Sequence, residues 1–150
     1  MNAEVQRVVI TLPALADYVD IVRLNLYGIA SKMGFSYEDI EDMKVAVSEA
    51  CNNSVLYAYN EQDGMVEVVF EVHRDLLSIT VRDEGEGFER VASSTSRMTL
   101  HDKELHDVGI GGLGFYLMEA LMDEVSIENE TGRGTKVVMT KRLMRTEAKV

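Results

Sequence analysis

Eight of the 11 glycines in this chain of 150 residues fall into three short clusters. The clusters are Gly85 and Gly87; Gly109, Gly111, Gly112 and Gly114; and Gly132 and Gly134. A glycine inside a helix or strand costs backbone entropy, so clustered glycines predict tight turns or a close approach to the main chain. The middle cluster, GIGGLG, precedes a helical pattern, where backbone N–H groups can bind an anion. Taken alone, this loop fits a flexible hinge equally well.

The apolar spacing outside these clusters predicts three helices and about five strands. Leu77, Ile79 and Val81 alternate with polar residues, which is typical of a half-buried antiparallel strand. Helices are predicted over residues 15–33, which Gly34 ends, over 37–59, which Ser36 caps, and over 113–121. Strands are predicted over 5–12, which Pro13 ends, and over 65–73, 76–83, 124–128 and 135–142. Most strands are joined as hairpins, so we expect a two-layer α/β sandwich with the three helices on one face of a mixed, mostly antiparallel sheet.

The length predicts a single domain over residues 1–150, large enough for a real core. The polar segment between Glu84 and Val108 is long for a structureless loop, and such loops are usually disordered or functional lids. We expect a flexible lid over residues 88–108 and a loosely held tail over 143–150.

The charge and cysteine content limit the classes of partner. The formal net charge of −11 argues against direct binding of nucleic acid, although it does not exclude nucleotides, which bring their own magnesium. No apolar run approaches the roughly 20 residues of a membrane span, and the N-terminus lacks a signal-peptide pattern. Cys51 is the single cysteine, which excludes an internal disulfide and suits a reducing compartment. We therefore expect a cytoplasmic protein without a membrane partner.

The second predicted helix carries a pair of polar residues that could serve chemistry. Glu49 and Asn53 are four residues apart, so they lie on the same helix face. A carboxylate beside a carboxamide oxygen suits magnesium, or a general base next to a metal ligand. For this segment alone, a surface Glu and Asn on an amphipathic helix is the simpler interpretation. We expect Glu49 at the edge of the core and Cys51, which points away from it, in packing.

The order of four motifs along the chain is more specific than any one of them. Glu49-x-x-x-Asn53, Asp83-x-Gly85-x-Gly87, the GIGGLG loop and Gly132-Arg133-Gly134-Thr135 resemble the four boxes of the Bergerat-type (GHKL) ATP fold of gyrases, Hsp90 chaperones and histidine kinases. Within that superfamily, VSEACNNSVLYAY, VRDEGEGF and GGLGFYLMEALMDEV look like the small bacterial anti-sigma factors that are also serine-protein kinases. The anti-sigma-B kinase of the general stress response is the nearest type.

This resemblance implies a homodimer that uses ATP and Mg²⁺, binds a sigma-B type sigma factor and phosphorylates a serine of an anti-anti-sigma protein. Glu49 would be the general base, Asn53 would hold Mg²⁺, and Asp83 would accept a hydrogen bond from the adenine amino group. The implied nucleotide-binding set also includes Gly85, Gly87, Gly109, Gly111, Gly112, Gly114 and Thr135. Arg23 matches the position at which the family contacts its partners.

One departure from the family pattern leaves the catalytic role of the lid open. Some members carry an arginine just before the glycines of the third helix, where this chain has Ile110. Arg97 or Lys103 of the lid could then meet the charge of the γ-phosphate. The spacing of His101 and His106 in the same segment favours a solvated loop over a metal site.

Two rival functions stay open from the sequence. One is a nucleotide-gated binding module without phosphotransfer, and the other is a stand-alone catalytic domain of a histidine kinase. The presence of both Glu49 and Asn53 favours the enzyme over the binding module.

Overall fold

In the computed structural model, residues 4–55, 64–84, 114–130 and 134–144 are described, and five of their segments form one antiparallel sheet. The strands are β1 (Gln6–Pro13), β2 (Met65–Val72), β3 (Leu76–Asp83), β4 (Glu124–Glu130) and β5 (Gly134–Arg142). Their order across the sheet is β1-β2-β3-β5-β4. Every neighbouring pair is antiparallel, so the expected mixed, mostly antiparallel sheet is wholly antiparallel within the described part of the chain.

Three helices cover one face of this sheet. They are α1 (Val19–Met33), α2 (Tyr37–Asn53) and α3, residues 114–121. Alternate residues of the central strands, such as Phe70 and Ile79, are fully buried and belong to one apolar cluster with Leu26 of α1, Met43 of α2 and Met118 of α3. Burial of this apolar area is the main favourable term in folding. The predicted two-layer α/β sandwich is confirmed.

The opposite face of the sheet is mostly polar, although Val69 is buried on it, and it carries ion pairs between neighbouring strands. These pairs are Arg7–Glu71, Arg82–Glu67 and Lys136–Glu128, with N–O distances of 3.3, 3.6 and 3.7 Å. All six side chains are at least a third exposed, so each pair adds little to stability. Their effect is to keep this face in water and the apolar face against the helices.

Short-range signals set the junction between α1 and α2. Gly34 ends α1 in the left-handed region with φ of 100°, and its N–H donates to the carbonyl oxygens of Ala30 and Ser31. The Ser36 Oγ then accepts a hydrogen bond of 3.1 Å from the Asp39 N–H and caps α2. Both sequence predictions are confirmed.

The beginning of α1 differs from the prediction. β1 extends through Pro13, which pairs with Met65, because a proline on an edge strand removes no hydrogen bond from the sheet. The chain then forms a short 3₁₀ turn over Ala16–Tyr18, and α1 begins only at Val19. Leu15, which the spacing placed on the apolar face of the helix, is 54% exposed.

Several predicted segments lie outside the described residues. α2 ends at Asn53 and continues as a π-helical turn through Ser54 and Val55, so its predicted extension to Tyr59 is not described. The predicted lid and residues 145–150 of the tail also fall outside. Leu143 is held by its N–H, which donates to the Asp75 carbonyl oxygen at 2.7 Å. No helix in the described part of the chain is long and apolar enough to cross a membrane.

Two glycines with nearly the same positive φ allow a matched test of what the β3–β5 contact requires. Gly34 and Gly134 have φ of 100° and 99°, but a Cβ at Gly134 would lie 2.0 Å from the Asp83 carbonyl oxygen, whereas one at Gly34 meets nothing within 4 Å. We expect Gly34→Ala to cost about 1–2 kcal/mol of unfolding free energy, the cost of the left-handed backbone alone. Gly134→Ala should cost at least about 2 kcal/mol more, because β5 and β3 must separate. Urea denaturation measures both, and equal costs would contradict the close approach.

Candidate functional site

Two buried polar side chains face each other where β3 ends and β5 begins. Asp83 is the last residue of β3 and is the register partner of Thr135 on β5. Each is 4% exposed. Gly134 makes this corner possible, because its lack of a Cβ lets the first residue of β5 touch the backbone of Asp83 and Glu84. The structure therefore brings together Asp83 and Thr135, both predicted from sequence, and adds Gly134 as the residue that permits their approach.

Ser54 connects this corner to the helix layer. Its hydroxyl donates a hydrogen bond of 2.8 Å to Oδ2 of Asp83, and the Ser54 side chain is itself buried. Ser54 lies in the π-helical turn that follows α2, a feature that is frequent at functional sites. The helical spacing puts Ser54 on the apolar side of the predicted second helix and does not connect it to Asp83. A hydroxyl on an otherwise apolar helix face was the signal that could have pointed to a buried polar partner.

Asn53 presents a buried polar atom that nothing in the described part of the chain satisfies. The residue is 5% exposed, and its Nδ2 has no hydrogen-bond partner there. A buried donor without a partner costs about 1–3 kcal/mol, so a ligand oxygen at this position would recover that cost. The oxygen of the same carboxamide is a suitable ligand for Mg²⁺. Asn53 thus fits an anionic group that arrives with a magnesium ion.

Glu49 lies one turn before Asn53 on the same side of α2, as the spacing predicted. Its side chain is half-buried, at the edge of the core. The beginning of α3 comes directly against it, since a Cβ on Gly114 would lie 2.8 Å from Oε1 of Glu49. Gly114 therefore lets α3 approach the carboxylate closely. This position is half in water and half against the protein, which suits a group that exchanges a proton with a protein substrate.

Arg23 lies apart from these residues, on α1. Its Nε donates a hydrogen bond of 2.7 Å to the Ser48 hydroxyl, and its guanidinium pairs with the Asp20 carboxylate. The Ser48 hydroxyl in turn donates to the Lys44 carbonyl oxygen at 2.6 Å. Arg23 is therefore bonded to the residue immediately before Glu49, although its side chain remains 35% exposed.

Cys51 is a packing residue, as the sequence indicated. Burial raises the pKa of its thiol to about 12, and the positive charge of Arg23 offsets only part of this effect. The thiol therefore stays protonated at neutral pH and has little nucleophilic character.

The remaining predicted site residues lie outside the described part of the chain. They are Gly85, Gly87, Gly109, Gly111 and Gly112, together with Ile110 and the lid residues Arg97, His101, Lys103 and His106. The described site consists of the end of α2, the facing ends of β3 and β5, and the beginning of α3.

Comparison with known proteins places this chain in a family. Residues 12–141 match the family described as the histidine kinase-like ATPase domain. A serine-protein kinase RsbW of Bacillus licheniformis is 46% identical over 145 residues, which cover 89% of this chain and 83% of that protein. The serine-protein kinase RsbW of Bacillus subtilis strain 168 is 43% identical, with coverage of 88% and 82%.

The chain belongs to the RsbW family of serine-protein kinases. This confirms the resemblance drawn from the four motifs. The fold also matches the crystal structure of the RsbU and RsbW domains of a Mycobacterium tuberculosis protein, with a TM-score of 0.68 at 24% identity. That match covers 94% of this chain and 33% of the longer chain, and it supports the fold alone.

The hydrogen bond between Ser54 and Asp83 makes a prediction about stability. Ser54→Ala should lower the free energy of unfolding by about 1–3 kcal/mol, because it takes a hydrogen bond from a buried carboxylate. Ser31→Ala, at an exposed position of α1, is the matched control and should change stability by less than about 0.5 kcal/mol. Urea denaturation without nucleotide measures both. A Ser54 variant as stable as the Ser31 variant would show that this bond does not hold the corner together.

Proposed function

We propose that this protein is an ATP-dependent serine kinase and an anti-sigma factor. It binds and inhibits a sigma-B type sigma factor, and it phosphorylates a serine of the anti-anti-sigma protein that competes for it. The observation that carries the proposal is the arrangement on α2, where the half-buried Glu49 lies one turn from the unsatisfied buried amide of Asn53. Membership of a serine-protein kinase family supports the reaction type. Because a sigma factor acts inside the cell, the proposal places the protein in the cytoplasm.

The corner between β3 and β5 is proposed to recognise the adenine base. The Asp83 carboxylate accepts a hydrogen bond from the exocyclic amino group, and Thr135 lines the same pocket. Ser54 orients the carboxylate through its bond to Oδ2. Gly85 and Gly87 follow Asp83 in sequence and let the chain pass close to the base. Burial of Asp83 and Thr135 strengthens this recognition, because a hydrogen bond is electrostatically stronger away from water.

The end of α2 and the glycine-rich segment are proposed to hold the phosphates. ATP, when bound with Mg²⁺, supplies the phosphoryl group and the positive charge that stabilises its transfer. Asn53 holds the metal through its carboxamide oxygen and can donate its unsatisfied N–H to a phosphate oxygen. The backbone N–H groups around Gly109, Gly111, Gly112 and Gly114 bind the phosphates before α3.

Glu49 is proposed to be the general base. As the substrate serine oxygen bonds to the γ-phosphorus of ATP, the bond from that phosphorus to the β,γ-bridging oxygen breaks and ADP leaves. The hydroxyl proton passes to the Glu49 carboxylate, so the attacking oxygen does not accumulate positive charge. The half-buried position allows a serine of another protein to reach this carboxylate. The neighbouring beginning of α3 limits where the carboxylate can move, since Gly114 lies directly against Oε1. The position of the base is therefore restrained before the substrate arrives.

The outer side of α1 is proposed to contact both partner proteins, with Arg23 as its charged anchor. Ile21, Leu24 and Tyr27 are 41%, 71% and 48% exposed on the same helix. Exposed apolar side chains around a charged residue are typical of a protein-binding surface. An arginine can form bidentate bonds with a carboxylate of either partner.

The homodimer is proposed on the basis of the edge of the sheet. β1 has no neighbour on its outer side in the described part of the chain, and Val5, Val8 and Val9 near its beginning are 45%, 39% and 49% exposed. An exposed apolar edge strand is prone to pairing with another chain, so a second copy of this protein that covers it would remove that risk.

Replacement of Glu49 by glutamine separates catalysis from binding. Glu49→Gln keeps the size and polarity of the side chain but removes the base, so phosphotransfer should fall by roughly 10²–10⁴-fold while ATP still binds. Incubation with radiolabelled ATP and the anti-anti-sigma protein measures the rate of phosphotransfer, and calorimetry measures the affinity for ATP. The matched control is Glu38→Gln, at an exposed position in the first turn of the same helix, which should keep the parental rate. A Glu49→Gln variant that transfers phosphate at the parental rate would refute the assignment.

Arg23 and the nucleotide state should together select the partner. We expect ATP to favour the complex with the sigma factor and ADP to favour the complex with the unphosphorylated anti-anti-sigma protein. A nucleotide can shift the choice of partner only if its affinity differs between these two complexes. Arg23→Ala should weaken at least one partner without changing ATP affinity, since Arg23 contacts Ser48 and Asp20 rather than the residues around Asp83. Lys32→Ala, which removes an exposed charge from the last turn of α1, is the control.

Titration of both partners against the protein with each nucleotide measures these affinities. Partner affinities that are the same with ATP and ADP, and unchanged by Arg23→Ala, would refute the partner-switching part of the proposal. The kinase part would then stand or fall on the Glu49 variant alone.

A further inference from the structure

Lys141 is a lysine that points into the helix layer rather than into water. It lies near the end of β5, and its register partner is Leu77 of β3, which is fully buried. Opposite residues of paired strands share a face of the sheet, so Lys141 shares the helix-covered face with Leu77. Its side chain is only 14% exposed. Lysines are rarely so buried without specific partners, so its contacts should have a structural consequence.

The Lys141 ammonium group contacts two different helices. Its Nζ donates a hydrogen bond of 2.7 Å to the carbonyl oxygen of Leu121, the last residue of α3. It also lies 4.0 Å from Oδ1 of Asp39, in the first turn of α2. A positive charge is favourable at the C-terminal end of a helix, and a carboxylate is favourable at an N-terminal end. Lys141 therefore bridges the end of α3 and the beginning of α2.

The two hydrogen bonds of the turn after α3 lead to β5 and not to α2. The Asp123 N–H donates to the Thr140 carbonyl oxygen at 2.9 Å, and the Arg142 N–H donates to Oδ2 of Asp123 at 2.6 Å. These bonds attach the turn after α3 to β5. Within the described part of the chain, Lys141 is the polar side chain whose hydrogen bond and ion pair join this turn to α2.

The two helices meet a second time, at the site. There the beginning of α3, Gly114, lies against Glu49 in the second half of α2. The rise from Asp39 to Glu49 is about 15 Å and that from Gly114 to Leu121 is about 10 Å, at about 1.5 Å per residue. α2 and α3 thus run in opposite directions and lie close together at both ends of α3. A rigid helix fixed at one end transmits that constraint to its other end.

We propose that Lys141 is a positioning residue for the reaction at Glu49. By holding the C-terminal end of α3 against the first turn of α2, it sets how closely Gly114 approaches the Glu49 carboxylate. Its effect on the base rests on the proposed function of Glu49, whereas its hold on α3 does not. A misplacement of about 1 Å at a catalytic group can cost on the order of 10²-fold in rate, so a remote contact of this kind has a measurable effect.

The experiment uses three variants of the full chain. Lys141→Met keeps the unbranched side chain but removes the charge and the donor, and Lys141→Arg keeps both. Lys136→Met is the matched control, because Lys136 lies on the same strand but on the opposite face of the sheet, where it pairs with Glu128. Hydrogen exchange followed by mass spectrometry reports on the backbone of residues 114–121 without any need for activity.

Phosphotransfer to the antagonist with ATP and Mg²⁺ gives the second measurement. It is made in the parental protein and in the Glu49→Gln background, well below the unfolding temperature of each variant. The second background separates positioning from general damage, because a residue that acts through Glu49 has nothing left to position once the base is removed.

In Lys141→Met we expect amide hydrogen exchange within α3 to be about tenfold faster, because the variant loses a hydrogen bond that involves a charged group. We also expect kcat to fall by about tenfold or more, up to about 10²-fold, with little change in KM for ATP. Lys141→Arg should restore most of both properties, and Lys136→Met should change neither. In the Glu49→Gln background, Lys141→Met should leave the residual rate unchanged.

Three outcomes would overturn the inference. α3 exchange could be unaffected, kcat could stay at the parental value although exchange is faster, or kcat could fall by the same factor with and without Glu49. A parental protein that transfers no phosphate would instead refute the proposed function, and exchange of α3 would then still decide whether Lys141 holds the helix.

Discussion

The site is built on a close backbone contact between the beginning of β5 and the end of β3. A Cβ at Gly134 would lie 2.0 Å from the Asp83 carbonyl oxygen and 2.5 Å from the Glu84 Cα, so no residue other than glycine fits there. This contact puts Thr135 opposite Asp83. Two buried polar groups can then act on one ligand, and the Ser54 hydroxyl joins them to the helix layer.

The same corner carries a stability cost that a ligand can offset. Asn53, Ser54, Asp83 and Thr135 are all buried, although each has a polar side chain, and the Asn53 Nδ2 has no partner in the described part of the chain. The apolar cluster of α1, α2 and the sheet supplies the burial that outweighs this cost. A protein with such an arrangement should gain stability when its ligand binds, because only the folded state offers the site.

α2 connects all the functions proposed for this chain. Glu49, Asn53 and Ser54 follow one another at its end, while Ser48 takes the hydrogen bond of Arg23 from α1 and Asp39 meets Lys141 at its beginning. An α-helix is a stiff rod. The contact of Arg23 with Ser48 and that of Lys141 with Asp39 therefore both act on the helix that carries the proposed base. The proposed partner surface and the proposed base are therefore connected through one helix.

The sequence by itself determined the elements whose signals are local. The alternation around Ile79 predicted a strand, Gly34 and Ser36 predicted the ends of two helices, and the spacing of Glu49 and Asn53 put them on one helix face. Each of these signals depends on residues only a few positions apart, which share backbone geometry whatever the rest of the chain does. The ordered motifs also identified the family and implied that Asp83 and Thr135 serve one pocket, whereas their pairing across β3 and β5 came from the structure.

Only the tertiary structure decided the contacts between residues that are far apart in the chain. In the sequence, Ser54 is one more small residue on an apolar helix face, but the fold puts it against Asp83. Lys141 is an ordinary strand lysine in the sequence, but the fold puts it between α2 and α3. The late start of α1 has the same origin, because the pairing of Pro13 with Met65 extends β1. Such contacts depend on packing across the sheet, and no periodicity within one segment encodes them.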